Sequence, residues 1–342
     1  MQRTTLVKTL ELIAPSLASS GLVPVFGCFM FNGDTISAFN GDSLAIEAAF
    51  ENKGGFAVEG KVLLGLLQNS RAEKVEMAVE KNDVRITSGK SKAKLPYVPE
   101  DEFLFEKPDD KAEATYDFTW VQDLEVCLST TCRDNSMPAL MGITFTYDPQ
   151  LTLYSCDGDA ITSVDPKSKS KGKGSFTAPN SFCEALIKIW HETQPVSGQI
   201  EFSSNWAKAT LSTGFTLYGR VIKSPIDHAA LIEKTMTGEM PFVGMPEGLD
   251  EALARARVLA DAESKPTIMT VSNGKLGLLT ESKLGEARED LPMKGHDDVE
   301  AFVHAQLVQR SINICDQISI RENCTCYQLG DKVLQVVSNI GA

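Results

Sequence analysis

Two clusters of chemically reactive side chains stand out in the sequence. Asp157-Gly-Asp159 places two carboxylates around a glycine, as a calcium loop does, but no glutamate follows at the spacing that such a loop needs. Cys324-Thr-Cys326 places two thiols two residues apart, but no second Cys or His pair stands at zinc spacing. We therefore predict a simple turn at the first cluster and buried thiols on one face of a strand at the second. No metal is predicted.

The histidine and lysine patterns also lack the spacing of catalytic motifs. His191 is followed by Glu192 but not by a second histidine four residues on, as a zinc-hydrolase helix requires. The lysine-rich segment 167–174 lacks the spacing of a phosphate-binding loop, and we interpret it as a surface loop. The four histidines form no recognisable triad, although their order alone leaves one open. We predict no enzyme and no cofactor, and a nucleic-acid hydrolase is the last of three hypotheses.

The composition is that of a globular protein. The 342 residues, 42% of them hydrophobic, are enough for two or three domains. No apolar run reaches about 18 residues and the first residues form no secretory signal, so we expect a cytoplasmic protein without a membrane span. Eight scattered cysteines do not match a secreted disulfide scaffold. The net charge of −13 argues against coating nucleic acid by bulk attraction, but leaves contact through part of the surface open.

The most informative pattern is a repeat of strand signatures. Period-2 alternation, broken by Asn and Gly turns, predicts three antiparallel meanders. A hairpin signature precedes each meander at a similar distance. The predicted hairpins are 29–39, 143–154 and 268–279, and the predicted meanders are 74–95, 199–218 and 317–337.

Apolar residues at helical spacing flank each hairpin and predict one helix before it and one after it. The order helix, hairpin, helix, meander therefore occurs three times, and one third of the chain suits one compact domain. We predict an α+β fold of three repeated domains, each with two helices and antiparallel sheets, joined by charged or Pro- and Gly-containing linkers. The predicted helices are 6–17, 62–67, 118–132, 182–190, 249–260 and 299–314, and the predicted domains are 1–113, 114–236 and 237–342.

With this order of elements the chain resembles the three-domain sliding clamp of bacterial replication, the beta subunit of DNA polymerase III, in a cellular, phage or mobile-element version. The resemblance covers essentially the whole chain. Its best local pieces are segment 56–67, where the family leads from a strand into its second helix, Asp157-Gly158 after the second hairpin, and segment 249–259, which matches a first helix. The resemblance implies that each chain is a half-ring in a head-to-tail homodimer, with helices lining a hole around duplex DNA.

The resemblance places DNA contacts on the lining helices. The predicted helices are nearly neutral overall, so the other segments carry most of the negative charge. That balance suits a ring that holds DNA by topology rather than by tight phosphate binding. The aromatic pair of the family is replaced by Pro138-Ala139, and its first-domain arginine falls at Ser20. The candidate DNA-binding residues are Lys8, Lys61, Arg71, Arg133, Lys188, Arg255, Arg257 and Arg310.

The family also implies a peptide cleft between the second and third domains, where clamps bind polymerases and clamp-loader subunits through short linear motifs. An apolar slot suits hydrophobic anchors, and the alternative is that the same residues are domain core. Ser338 replaces a preferred methionine, and Asp159-Ala160 replaces a His-Arg pair, which favours a changed partner motif. The candidate cleft residues are Leu140, Cys156, Gly158, Ile161, Pro225, Leu231, Val336, Val337 and Ser338.

For the ring joint, the resemblance sets Ala93 and Leu95 of one chain against Val258 and Leu259 of its neighbour, although these residues could equally belong to the core. The leading hypothesis is a non-enzymatic processivity clamp that encircles DNA as a homodimer, is loaded by a separate ATPase and tethers a polymerase at the nucleoid. The alternative is a clamp-like adaptor or decoy that binds replication factors without acting as a processivity ring.

Overall fold

Helices and antiparallel strands alternate along the chain in the computed structural model, which describes residues 1–19, 23–52, 54–81, 83–147, 150–168, 170–223, 226–236, 240–263 and 265–340. The predicted α+β class is confirmed. No helix in these ranges is both long enough and apolar enough to cross a bilayer.

The helices and strands are bounded as follows. The helices are α1 (Arg3–Ile13), α2 (Gly60–Gln68), α3 (Val121–Leu128), α4 (Asn180–Thr193), α5 (His228–Thr235), α6 (Leu249–Glu263) and α7 (Ala305–Ile312). The first strands are β1 (Cys28–Phe31), β2 (Thr35–Phe39), β3 (Leu44–Ala49), β4 (Phe56–Glu59), β5 (Val75–Val79), β6 (Asp83–Ser88), β7 (Ser91–Pro99) and β8 (Ala114–Phe118). The next are β9 (Gly142–Tyr147), β10 (Leu151–Cys156), β11 (Ala160–Val164), β12 (Ser170–Gly172), β13 (Gly174–Pro179), β14 (Gly198–Phe202), β15 (Trp206–Leu211) and β16 (Phe215–Arg220). The last are β17 (Val243–Gly244), β18 (Thr267–Ser272), β19 (Lys275–Ser282), β20 (Gly285–Pro292), β21 (Val299–Val303), β22 (Gln317–Ile320), β23 (Cys324–Leu329) and β24 (Val333–Ser338).

The three predicted hairpins and the three predicted meanders are confirmed. The hairpins pair β1 with β2, β9 with β10, and β18 with β19. The meanders are β5-β6-β7, β14-β15-β16 and β22-β23-β24. In the third hairpin Asn273 and Gly274 both have positive φ, at 52° and 74°. Asn-Gly is the pair that a tight hairpin turn with two positive φ angles favours, because glycine has no Cβ to clash there.

The last predicted helix is wrong over its first five residues. Segment 299–303 is the strand β21, which pairs with β18, and only Ala305–Ile312 is helical. Ala301 and Val303 are buried whereas Glu300 and Phe302 are exposed, which is the alternation of a strand. The first and third predicted helices are also shorter than expected, since α1 ends at Ile13 and α3 covers only Val121–Leu128.

The chain forms two compact units. The first contains residues 1–121 and 169–222, and all of its strands except β13 form one sheet in the order β12-β8-β14-β15-β16-β3-β2-β1-β4-β7-β6-β5. Helices α1, α2 and α4 belong to this unit, and α1 packs against both of the others. Fully buried side chains such as Leu6, Phe29 and Phe182 form its core.

The second unit contains residues 122–168 and 223–342. One of its sheets runs in the order β9-β10-β11-β24-β23-β22-β17, and the other in the order β20-β19-β18-β21. Helix α6 packs on β19, on β20 and on α7, and it buries Leu249 and Leu253. Helix α5, which the sequence pattern did not predict, packs on β10.

Each unit contains one junction of the same kind, in which the last strand of a meander pairs with the third strand of a preceding group. In the first unit β16 pairs with β3, from Phe215 opposite Ala48 to Gly219 opposite Leu44. In the second unit β24 pairs with β11, from Val333 opposite Val164 to Val337 opposite Ala160. Parts of the predicted second domain therefore belong to both units, and the predicted domain limits remain a prediction.

Candidate functional site

Three adjacent strands of the second unit bring predicted cleft residues into one row, which we call the cleft row. Cys156 of β10 lies opposite Ile161 of β11, and Ile161 lies opposite Val336 of β24. Residues directly opposite each other in a sheet project from the same face. The side chain of Ile232 on α5 packs against the buried cluster that contains Val336. Predicted cleft residues from distant parts of the chain are thus neighbours here.

The turn at one end of the cleft row is the turn that the sequence predicted. Asp157 Oδ1 accepts hydrogen bonds from the N–H groups of Asp159 and Ala160, at 3.1 and 2.8 Å. Gly158 has a φ of +104°, a conformation that side chains with a Cβ rarely adopt. The Ser338 N–H donates to the Asp159 carbonyl at 2.8 Å. This hydrogen bond ties β24, and with it Ser338, to the turn.

The other predicted cleft residues are not all brought to the cleft row. Leu140 is half-buried in a single 3-10 turn, and Leu231 on α5 leaves 40% of its surface exposed. Val337 projects from the opposite face of β24 to Val336, because neighbouring residues in a strand alternate. Both side chains are buried, at 1% and 2% exposure. Pro225 lies outside the described residues.

A pocket of about 420 Å³ opens beside the same turn. It is lined by Asp159, by Lys265 after α6 and by His304 and Leu307 at the start of α7. Sequence reasoning missed the last three, because no local pattern places the start of α7 beside the β10–β11 turn. These residues extend the candidate cleft past the turn.

A buried polar network lies on the other face of the strands that carry the cleft row. Thr130 Oγ1 lies 2.6 Å from Ser155 Oγ and 2.7 Å from Thr162 Oγ1. Gln335 Nε2 donates to the same Thr162 Oγ1 at 3.1 Å. All four residues are fully buried, and hydrogen bonds of this kind rigidify the strands that carry them, although Gln335 Oε1 has no partner among the described residues.

Helix α5 is held on the sheet by an aromatic stack. The His228 ring lies parallel to the Tyr154 ring, with centroids 5.8 Å apart and an interplanar angle of 9°. His228 is 5% exposed, and its Nδ1 has no hydrogen-bond partner among the described residues. Burial lowers the pKa of His228, while the neighbouring Asp227 carboxylate acts in the opposite direction. Asp227 also begins the helix, since its side chain accepts from the Ala230 N–H at 3.0 Å.

The candidate DNA-binding residues of the first unit lie on α1, α2 and α4. Lys8 of α1 pairs with Glu192 of α4 at 3.3 Å, and Lys188 of α4 donates to the Glu11 carbonyl of α1 at 3.2 Å. Lys61 donates to the Ser19 carbonyl at 3.3 Å. Arg71 is exposed after α2, and Ser20 lies outside the described residues. Lys8 and Lys188 therefore link α1 to α4 in addition to carrying positive charge.

The candidate DNA-binding residues of the second unit include two with carboxylate partners. Arg255 Nε lies 2.6 Å from Glu289 Oε1, and Arg310 Nη1 lies 2.7 Å from Asp157 Oδ2. Arg133 is exposed and Arg257 is half-buried. Because a phosphate must compete with these carboxylates, Arg255 and Arg310 offer less attraction to DNA than free arginines.

Solved structures of bacterial sliding clamps resemble this chain over its full length. The DNA polymerase sliding clamp of Pseudomonas aeruginosa matches with a TM-score of 0.87 at 16% identity, over 100% of this chain and 99% of that one. The DNA polymerase III beta subunit of Thermotoga maritima matches with a TM-score of 0.86 at 16% identity, over 100% and 98%. The Helicobacter pylori beta clamp bound to a DNA ligase peptide matches with a TM-score of 0.84 at 14% identity, over 99% of each chain.

This chain has the bacterial sliding-clamp fold. The resemblance read from the sequence is thereby confirmed at the level of the fold. No family model and no curated protein matches the sequence. The sheet junctions described above, and the strands that carry the cleft row, therefore belong to a clamp fold whose sequence is only 14–16% identical to those clamps.

In this clamp fold, the residues predicted for the ring joint lie on β7 and α6. Ala93 and Leu95 of β7 are half-buried and lie opposite Ile86 and Val84 of β6. Val258 of α6 leaves 73% of its surface exposed, whereas Leu259 is half-buried. The side chain of Val258 is therefore accessible to another chain.

The thiols of the clamp fold are packed as predicted. Cys324 and Cys326 are both fully buried, and their Sγ atoms lie 3.9 Å apart on one face of β23. They pack with Val336 and with the side chains of Ile232 and Met236. Among the residues that the structure describes, no three His, Cys, Asp or Glu side chains are grouped closely enough to hold a metal ion.

Proposed function

We propose that this protein is a non-enzymatic DNA sliding clamp, which encircles duplex DNA as a head-to-tail homodimer and tethers a replicative polymerase. A clamp-loader ATPase would open it, and it would act in the cytoplasm at the nucleoid. The proposal rests on the clamp fold together with one feature of the strand order, namely that each unit has one strand, β7 or β20, of a kind that forms a sheet junction elsewhere in the chain.

We infer a third junction from the pattern of the other two. In each unit, the last strand of a meander pairs with the third strand of a preceding group, as β16 does with β3 and β24 with β11. The remaining strands of these two kinds are β7 and β20. Residues 91–95 of β7 have a strand partner only on the side of β6, and β20 has only β19 beside it among the described strands. Pairing β7 of one chain with β20 of the next would complete the series.

The charges of the two edges support that pairing. Lys92 and Lys94 project from the exposed face of β7, where Lys94 also pairs with Glu80 of the same chain at 2.6 Å. Glu286, Arg288 and Asp290 project from the exposed face of β20. Lysines set against carboxylates across a strand pair are favourable, whereas like charges directly opposite are not. The edges therefore favour β7 with β20 over two copies of either strand.

Light scattering over a concentration series tests ring closure. We expect a dimer, and we expect the double substitution Lys92→Glu with Lys94→Glu to weaken it about tenfold, from about 0.2–1 kcal/mol per cross-strand pair. Adding Glu286→Lys with Asp290→Lys should restore the dimer. Lys81→Glu with Lys111→Glu, which changes the charge equally away from β7, is the matched control. A monomer at all concentrations would contradict ring closure.

Retention on DNA tests the function itself. A closed ring stays on a nicked circular plasmid at high salt and leaves it once the plasmid is cut, because topology rather than phosphate contact holds it. We expect loader-dependent retention of this kind. Partner binding is tested separately, with synthetic peptides that carry the linear motifs of a replicative polymerase and of a clamp-loader subunit.

One observation favours the adaptor as a second candidate. Lys8, Arg255 and Arg310 all pair with carboxylates, which lowers the positive charge available to DNA. An adaptor would bind the same peptides but would not be retained on circular DNA. Retention that is lost when the plasmid is cut would exclude the adaptor.

A further inference from the structure

A second pocket, of about 410 Å³, lies on the sheet face that carries the cleft row. Its floor is the next row along the same strands, in which Tyr154 lies opposite Ser163, and Ser163 lies opposite Leu334. We call it the strand pocket. Because two residues of a strand span about 6.6 Å, the two rows are near neighbours.

The wall of the strand pocket is apolar and continuous with the cleft row. Met236 and Phe242, from the segment after α5, line it together with Leu334. The same three side chains are half-buried and pack against the buried cluster of Cys324, Cys326 and Val336. Val336 is itself a member of the cleft row. A ligand held in one site would therefore lie close to the other.

The rim of the strand pocket is acidic. Asp165 and Asp331 line it together with Lys332. Lys332 Nζ lies 2.6 Å from Oδ1 of Asp123, a carboxylate that is 3% exposed. The charge of Lys332 is therefore already balanced by Asp123. Asp165 and Asp331 therefore leave the mouth with negative charge, against which Lys167 is the nearest further cation along the chain. This charge repels phosphate groups and attracts a basic peptide.

We propose that the strand pocket binds an aromatic or long aliphatic side chain that stands next to a Lys or Arg, in the segment flanking a partner's linear motif. The apolar side chain lies against Met236, Phe242 and Leu334, and the basic side chain reaches Asp331 or Asp165. An extended peptide rises about 3.3 Å per residue, so two to four residues separate this pair from the anchor in the cleft row. Its placement beside a motif rests on the proposed function of the cleft.

Two synthetic tetrapeptides test the strand pocket in the full-length protein. Acetyl-Ala-Trp-Lys-Ala-amide and acetyl-Ala-Trp-Glu-Ala-amide are titrated in turn, and binding is followed by NMR shifts of isotope-labelled methionine methyl groups. We expect saturable binding with shifts at Met236, and an affinity about threefold higher for the lysine peptide, from one exposed charge pair. Asp331→Lys should reverse that preference, while Asp42→Asn, an exposed aspartate of the first unit, should not.

The tetrapeptides contain no partner motif, so their result does not depend on ring closure or on the cleft. Absence of saturable shifts at Met236, or equal affinity for the two peptides in wild type and in Asp331→Lys, would overturn the strand pocket. If a partner peptide fails to bind while the lysine tetrapeptide binds, the proposed cleft fails and the pocket stands. If both bind, linking them in one peptide should raise the affinity above that of either alone.

Discussion

Arg310 and Asp157 form an ion pair that connects a candidate DNA-binding helix to the candidate cleft. Arg310 Nη1 lies 2.7 Å from Asp157 Oδ2 and also donates to the Ser129 carbonyl at 3.1 Å. The side chains are only 24% and 17% exposed. Since Asp157 also orders the turn at Gly158, Arg310 holds the end of the cleft in place. Its role as a DNA contact remains a prediction.

The substitution Arg310→Met should therefore affect the cleft more than DNA. It leaves a partly buried carboxylate without its partner, so we expect a loss of about 1–2 kcal/mol in the free energy of unfolding. A fluorescent partner peptide should bind more weakly, while retention on circular DNA should change little. Arg255→Met, which breaks the exposed pair with Glu289, is the control. Equal loss of peptide affinity in both variants would disprove a role for Arg310 in the turn.

The ion pair between Lys8 and Glu192 allows a prediction of how DNA affinity depends on salt concentration. Glu192→Gln removes the carboxylate that competes for Lys8, so one more cation becomes available to phosphate. The slope of the logarithm of DNA affinity against the logarithm of salt concentration should steepen by about one unit. Glu76→Gln on β5 changes the charge equally without freeing a candidate DNA-binding residue. If both variants give the same slope, Lys8 does not contact DNA.

Val258 allows a direct test of the ring joint. Its side chain is 73% exposed, so Val258→Asp should not harm folding of the monomer, whereas a charge buried between two chains would be costly. We expect the dimer in light scattering to weaken by at least about tenfold. Val196→Asp is a matched control, because Val196 is 88% exposed on the first unit. A dimer that tolerates both changes would place the joint elsewhere.

The buried His228 should make the free energy of unfolding depend on pH. Burial lowers the pKa of His228, so the unfolded chain binds more protons than the native chain once the pH falls towards the ordinary value of about 6.5. The free energy of unfolding should therefore decrease from about pH 7.5 to pH 5, by less than about 1.4 kcal/mol per pH unit for one proton.

The substitution His228→Phe keeps an aromatic ring on Tyr154 and removes the titrating group. Urea unfolding at several pH values should then show a shallower dependence on pH over the same range. The exposed His191→Phe reports the general effect of replacing a histidine. An unchanged pH dependence in His228→Phe would show that the native state accepts the proton without penalty.

Much of the fold could be predicted, because its hairpins and meanders carry strong local signals. Asn273-Gly274 marks a turn for which few other residue pairs are suited, and the alternating meanders have one buried face. Segment 299–303 was read as helix because its apolar residues fit both periods over so short a run. Its true state depends on pairing with β18, which local sequence does not encode.

The candidate site was predictable only where one strand determines it. Val336 and Val337 are neighbours on β24, so they project from opposite faces, and the sequence alone could have shown that only one of them faces the cleft. Nothing local predicts that His304 and Lys265 line the same pocket as Asp159, because these residues come near each other only through packing of the second unit. The strand pocket escaped prediction for the same reason.

The open edges of β7 and β20 would give the chain a direction if they pair between copies as proposed. An exposed strand edge can pair with any other edge, so a chain that presents the edges of both β7 and β20 risks growing into a fibre instead of closing a ring. The lysines of β7 would repel a second β7, and the carboxylates of β20 would repel a second β20. If β7 and β20 pair as proposed, these charges would distinguish head from tail, so that each copy would accept its neighbour in one orientation.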